Sequence, residues 1–137
     1  MSYQQTFEIR TRGRGTTEIT AEVARLARAA GVTTGIAQVF VQHTSCSVMI
    51  TENADPSVRR DLEALAARWA PDADPAYRHD TEGGDDMAAH ARSLLAGTSV
   101  TVPVGGGALL LGTWQGIYLW EHRTGPQLRR VVVTVLG

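Results

Sequence analysis

Four histidines, His43, His79, His90 and His122, carry most of the chemistry this chain could do, and each sits in a short polar run. His43 opens His43-Thr44-Ser45-Cys46-Ser47 and is soon followed by Glu52-Asn53-Ala54-Asp55. His79 and His90 bracket Glu82-Gly83-Gly84-Asp85-Asp86, and His122 lies in Glu121-His122-Arg123. Three or four neutral imidazoles with a carboxylate make the ligand set of a zinc-like site that keeps an open position. If a helix begins at Asp86, then Asp86 and His90 are four residues apart and project from one face. That spacing suits two ligands, or a ligand and the carboxylate that orients it. A histidine at a strand end is as easily a hydrogen-bonded or solvated residue, so spacing alone leaves both readings open.

Other candidates are weaker. Cys46 lies three residues from His43, and along an unbroken strand such positions face opposite ways, so a thiol–imidazole pair would need a bulge. A lone cysteine in an apolar run reads as packing. Ser45 and Ser47 lack a nucleophile-elbow motif. Gly105-Gly106-Gly107 lies between two strand-like runs and reads as a hairpin, not a phosphate cradle. Arg59 and Arg123 could grip phosphate by a bidentate fork or remain solvated. Glycines in Gly112-Thr113-Trp114-Gln115-Gly116-Ile117 point to a bulge or a close approach, and Trp114 and Trp120 read as core or interface aromatics.

The elements that must position these residues follow from local patterning. Residues 3–10 alternate as a first strand, and Arg12-Gly13-Arg14-Gly15 is a turn. A helix is expected from Thr20 as N-cap, burying Val23, Leu26, Ala27 and Ala30 and stopping at Gly31. Residues 35–43 and 46–51 are strands. Asp55-Pro56 caps and opens a second helix that runs to about Trp69, with Val58, Leu62, Leu65 and Trp69 on one side. An irregular loop is expected over 71–84, and a third helix from Asp85 or Asp86 to just before Gly97. Strands then cover 98–104, 108–121 and 129–136. Strands at both ends with helices between, and no regular βαβ alternation, indicate one α+β domain over residues 1–137 with a mainly antiparallel sheet.

The 137 residues fit one domain with a real core, and 43% hydrophobic against 20% charged residues argues against disorder. No apolar run reaches the ~18 residues of a membrane helix. No signal peptide is visible, so a cytoplasmic location is expected. A single cysteine excludes an intrachain disulfide and multi-cysteine metal motifs. The net charge of -1 gives no support for nucleic-acid binding by bulk charge. All 13 cationic residues are arginine, which removes lysine-based Schiff-base and phosphate-loop chemistry.

Several of these blocks together resemble one known family. Gln42-His43-Thr44-Ser45, Glu52-Asn53 through Asp55-Pro56, Val58-Arg59, Tyr77 to His79, Glu82-Gly83, Asp85-Asp86-Met87 with His90, Gly112 to Ile117 and Glu121-His122-Arg123 are similar to those of the YjbQ family. Order and spacing match from Tyr3-Gln4 to the final strand. Two departures are Ala88, where the family usually has proline, and Cys46, where alanine is common; the second further weakens a thiol mechanism.

The resemblance implies a compact, sandwich-like α+β fold with about three helices, and a homotrimer with a polar pocket close to subunit boundaries. It also implies the activity for which family members are described, thiamine-phosphate synthase. That transferase joins a hydroxymethylpyrimidine diphosphate to a thiazole phosphate and releases diphosphate, so small phosphorylated metabolites are the expected partners. On this reading His79, His90 and His122 hold a divalent metal, with His43 as fourth ligand or proton carrier. Asp86 and Glu82 orient the imidazoles or bind the metal. Arg59 and Arg123 take phosphate oxygens, and Asn53, Thr44, Ser45 and Gln115 supply hydrogen bonds. Clustered imidazoles suit a zinc-like ion, whereas diphosphate chemistry generally uses magnesium. The synthase activity could therefore be a side reaction. The alternatives are a metal-dependent hydrolase of a phosphorylated or acylated metabolite, and a non-catalytic trimeric metabolite- or metal-binding protein.

Overall fold

Period-two alternation decides the architecture. A computed structural model describes residues 1–137, with strands β1 (Ser2–Arg10), β2 (Gly15–Glu18), β3 (Gly35–Val41), β4 (Cys46–Glu52), β5 (Ser99–Gly105), β6 (Ala108–Leu109), β7 (Gln115–Glu121) and β8 (Leu128–Leu136), and helices α1 (Thr20–Ala29), α2 (Pro56–Trp69) and α3 (Asp86–Ala96). The strands form a five-stranded sheet, β1-β8-β3-β5-β6, and a three-stranded sheet, β2-β7-β4, every pair antiparallel. Val131, Val133 and Val135 of β8, Ala37, Val39 and Val41 of β3, and Ile117 and Leu119 of β7 meet with Val23 and Leu26 of α1 in one core. The expected α+β class, antiparallel pairing and three helices are all present. No helix is long and apolar enough to cross a membrane.

Local chemistry accounts for the helix ends. Asp55 accepts a hydrogen bond from the Ser57 amide at 2.9 Å, and Pro56 occupies the first turn, where its missing N–H costs nothing. Gly97 ends α3 with φ +94°. Thr20 is not the cap of α1, as its side chain had suggested. Ile19 takes the cap position, while the Thr20 hydroxyl accepts from the Ile117 amide at 2.8 Å and donates to Glu18 at 2.9 Å. A cross-strand tie to β7 has taken the side chain from its own helix.

Three further differences concern strands and packing. The expected strand 108–121 is interrupted between β6 and β7, because the Gln115 side chain accepts from the Gly112 amide at 2.8 Å and closes a turn. The short β2 follows the Arg12–Gly15 turn and pairs with β7, a strand its Thr-rich four residues did not announce. Trp69 of α2 is 57% exposed and Trp114 is 64% exposed, whereas Trp120 is buried.

Candidate metal centre

The first turn of α3 places the centre. The Asp85–Asp86 step ends the 71–84 loop, and the i,i+4 spacing brings His90 over Asp86. Asp86 is 2% exposed, and its Oδ2 lies 2.7 Å from His79 Nε2 and 3.1 Å from His90 Nε2. These three donor atoms all fall within 4.8 Å of one another. Glu82 adds an oxygen 3.7 Å from His79 Nε2.

Surrounding contacts orient the set. His90 Nδ1 is 3.0 Å from the Thr44 carbonyl, which can only accept, so Nδ1 carries the proton. A protonated ring then donates its Nε2–H to the Asp86 carboxylate, whereas a neutral ring turns its Nε2 lone pair toward it. Two acceptors at this distance need a proton or a cation between them. Arg123 holds the other side: its NH1 is 2.9 Å from Asp86 Oδ1, its Nε 2.9 Å from Asp85 Oδ2, and its NH2 donates to the Glu82 carbonyl at 2.9 Å. Burial raises the Asp86 pKa, but the hydrogen bond from His79 and the charges of His90 and Arg123 outweigh it, and the net direction is down. Asp85 is held at about 2: burial opposes ionisation, while the Thr124 amide and Arg123 overcome it.

The loop that supplies His79 is clamped at both ends. Ala73 and Gly84 close it through a backbone bond of 2.8 Å. Arg14 grips Asp72 through two N–H groups at 2.8 and 3.0 Å and donates to the His122 carbonyl at 2.9 and 3.0 Å. A hollow of about 290 Å³ opens within this loop, with His79, Tyr77, Asp74 and Asp80 in its wall.

The other anticipated residues lie elsewhere. Within the chain the four-histidine set does not assemble. His43 turns to β8, where its Nε2 accepts from the Arg130 amide at 2.7 Å. Burial and the Arg129 charge lower its pKa. His122 is fully buried against Trp120, with Nε2 2.6 Å from the Ser47 hydroxyl and Nδ1 without a partner. Burial, then the charges of Arg92, Arg14 and Arg129, push its pKa down to about 3. Ser45 is buried and hydrogen-bonded to Arg129, so its hydroxyl accepts within the protein. Cys46 is fully buried, and burial pushes its thiol up to about 12, which fits packing and not nucleophilic attack.

Asn53, Arg59 and Gln115 gather at the opposite end of the three-stranded sheet. Asn53 donates to the Thr113 and Gln115 carbonyls at 3.2 and 3.3 Å, and Arg59 donates to the Glu52 carbonyl at 2.8 Å. The register pairs Cys46 with Glu121 at one end and Glu52 with Gln115 at the other. At ~3.3 Å per residue the two ends are about 20 Å apart. One subunit thus divides the expected polar site into two.

Sequence reasoning passed over a buried ion pair beside the centre. Arg129 is 4% and Glu121 1% exposed, and their side chains pair, supported by the Thr11 hydroxyl at 2.7 Å from Glu121. A signal was available: Arg129 is in phase with inward-facing Val131, Val133 and Val135, and Glu121 with Ile117 and Leu119.

Comparison with known proteins gives the family and the fold. The profile of the family described as UPF0047 protein YjbQ-like matches residues 5–137. The chain belongs to the YjbQ family. It is 42% identical to UPF0047 protein YjbQ of Escherichia coli O157:H7, covering 100% of this chain and 99% of that one. UPF0047 protein sll1880 of Synechocystis is 46% identical over 98% of this chain and 92% of its own length. Among solved structures, a YjbQ/UPF0047 family protein of Clostridium acetobutylicum superposes with a TM-score of 0.89 at 35% identity, covering 96% of this chain and 99% of that one. A conserved hypothetical protein of Thermus thermophilus gives 0.86 at 36% identity, with 96% and 99% covered.

Proposed function

We propose that this YjbQ-family chain is a metal-dependent enzyme of small phosphorylated metabolites, with thiamine-phosphate-synthase-like transfer as its reaction. The observation that supports this most is the convergence of His79 Nε2, Asp86 Oδ2 and His90 Nε2 within 4.8 Å of one another, a donor set a divalent cation would satisfy. His79, Asp86 and His90 would hold the ion, and Arg123 and Thr44 would keep its ligands in place. Such an ion supplies positive charge to a departing diphosphate or polarises a phosphoryl or carbonyl group. Two imidazoles suit a zinc-like ion; magnesium would arrive with the diphosphate.

That ligand preference supports a second reading, hydrolysis of a phosphorylated or acylated metabolite. A non-catalytic trimeric binding protein is the third. We carry the homotrimer into the proposal, because Phe40, Ile36 and Leu136 on the five-stranded sheet and Trp69, Leu94 and Leu95 on the helices are exposed apolar surface for neighbouring copies. A cytoplasmic location accompanies it. Light scattering showing a stable monomer at micromolar concentration would remove the trimer.

Metal analysis and a single-turnover assay with the two thiamine precursors test the function. The expected result is about one zinc-like ion per chain, release of diphosphate, and loss of both metal and turnover in His90→Ala. Metal retained equally by wild type and His90→Ala would refute the centre. Metal with hydrolysis but no coupling would select the hydrolase, and metal without turnover the binding protein.

A further inference from the structure

The trough between β2 and the first turns of α2 has no part in the metal-type cluster. It is open, about 310 Å³ in volume, and its charged lining is Arg14, Arg59, Arg60 and Glu63. Two of these charges are already engaged. Glu63 accepts from Arg92 at 3.0 Å and from the Trp120 indole at 3.1 Å. Arg14 is gripped by Asp72 and the His122 carbonyl.

Arg59 is different. Its guanidinium stacks 4.8 Å from the Tyr118 ring centroid, and NH1 donates to the Glu52 carbonyl. These contacts hold the plane still and leave the NH2 edge without a protein acceptor. An immobilised fork of this kind loses little freedom when it grips a tetrahedral oxyanion. Arg60 follows it on the helix and is exposed. The other carboxylates nearby have their own partners: Asp55 accepts from the Ser57 amide, Glu52 from the amides of Ala54 and Asp55, and Glu18 from the hydroxyls of Thr20 and Tyr118.

We infer that this trough is an anion subsite that takes the phosphate or diphosphate group of a small molecule, with Arg59 as its bidentate ligand and Arg60 as second cation. It rests on the arginine geometry and does not require the metal centre. Arg14 forms a fixed positive wall whose charge Asp72 balances.

Calorimetric titration of the EDTA-treated protein with inorganic phosphate, a phosphate monoester such as glycerol phosphate, and diphosphate, at constant ionic strength, tests the assignment. Saturable binding is expected, weakened about ten-fold or more in Arg59→Met and in Arg60→Ala. Arg59→Met keeps the apolar stem on Tyr118 and Arg60 is exposed, so the two variants guard against loss of fold in either one. Arg25→Ala, which removes an exposed arginine of α1, should bind as wild type does, and so should His90→Ala. Preference for the monoester over diphosphate would identify an ester-binding site, and the reverse a diphosphate site. Absence of saturation, or equal weakening in Arg25→Ala, would overturn the subsite. So would weakening in His90→Ala with Arg59→Met unaffected, which would move the anion to the metal centre.

Discussion

Acidification gives a direct test of His122 as a buried neutral side chain. Its ring is fully buried, and burial followed by the charges of Arg92, Arg14 and Arg129 lowers its pKa from 6.5 to about 3. Above pH 6.5 neither the folded nor the unfolded chain protonates this group, and it leaves stability independent of pH. Below 6.5 the unfolded chain binds a proton that the folded chain refuses, so stability falls with pH by about 1.4 kcal/mol per unit. The loss begins near 6.5, amounts to about 3 kcal/mol at pH 4, and levels off near the folded value. The perturbation is His122→Gln, which keeps a polar group toward Ser47 and abolishes the titration. Urea denaturation of both proteins at fixed protein concentration, from pH 7 to 4, measures the difference. The depressed carboxylates Asp72, Asp85 and Asp86, and His43, titrate in both proteins and cancel. The gap between wild type and variant should narrow or invert as pH falls, with the slope of one proton. Parallel curves would refute the reasoning, because they would mean that folded His122 accepts a proton as readily as the unfolded chain does.

Arg129→Met should cost about 3–5 kcal/mol in the same denaturation experiment, since it strands the Glu121 carboxylate in a 1% exposed position; a loss below 1 kcal/mol would show that the Thr11 hydroxyl and the Arg123 amide satisfy that group without it. Gly116→Ala should destabilise by about 1–3 kcal/mol, because an added Cβ would come within 2.9 Å of the Tyr118 ring and 3.1 Å of Asn53 Cβ. A neutral effect on the thermal midpoint would contradict that packing. Arg14→Gln should raise amide exchange across 71–84 and leave β3 and β8 protected, as it removes the two-pronged grip on Asp72. Exchange across 71–84 unchanged from wild type would show that the Ala73–Gly84 closure suffices.

Much of this molecule is legible in order along the chain. Asp55-Pro56 and Gly97 mark helix ends through bonds made within four residues, and the alternation in 129–136 marks an inward face through the pleat of one strand. Asp86 and His90 form two of the three members of the candidate centre for the same local reason. The interruption of 108–121 was less legible, because two glycines in a strand are compatible with a bulge, and only the Gln115 side chain turning back on Gly112 makes it a break. Thr20 had every property of an N-cap, but the proximity of Ile117 redirected its hydroxyl.

The sequence by itself determined the α+β class, three helices, antiparallel pairing and the residue types able to bind a metal or phosphate, since these depend on period, caps and donor chemistry. Only the tertiary structure decided which of those residues meet. Register sets Cys46 opposite Glu121 and Glu52 opposite Gln115, so motifs adjacent in the one-dimensional pattern end about 20 Å apart. The loop carrying His79 folds back to Asp86 because Arg14 and Arg123 clamp its two ends. His43 and His122 sit in short polar motifs of the same kind as those of His79 and His90, yet one turns to a strand amide and the other into the protein. A side chain's partners depend on strand register and loop closure between residues distant in sequence, and no local pattern encodes them.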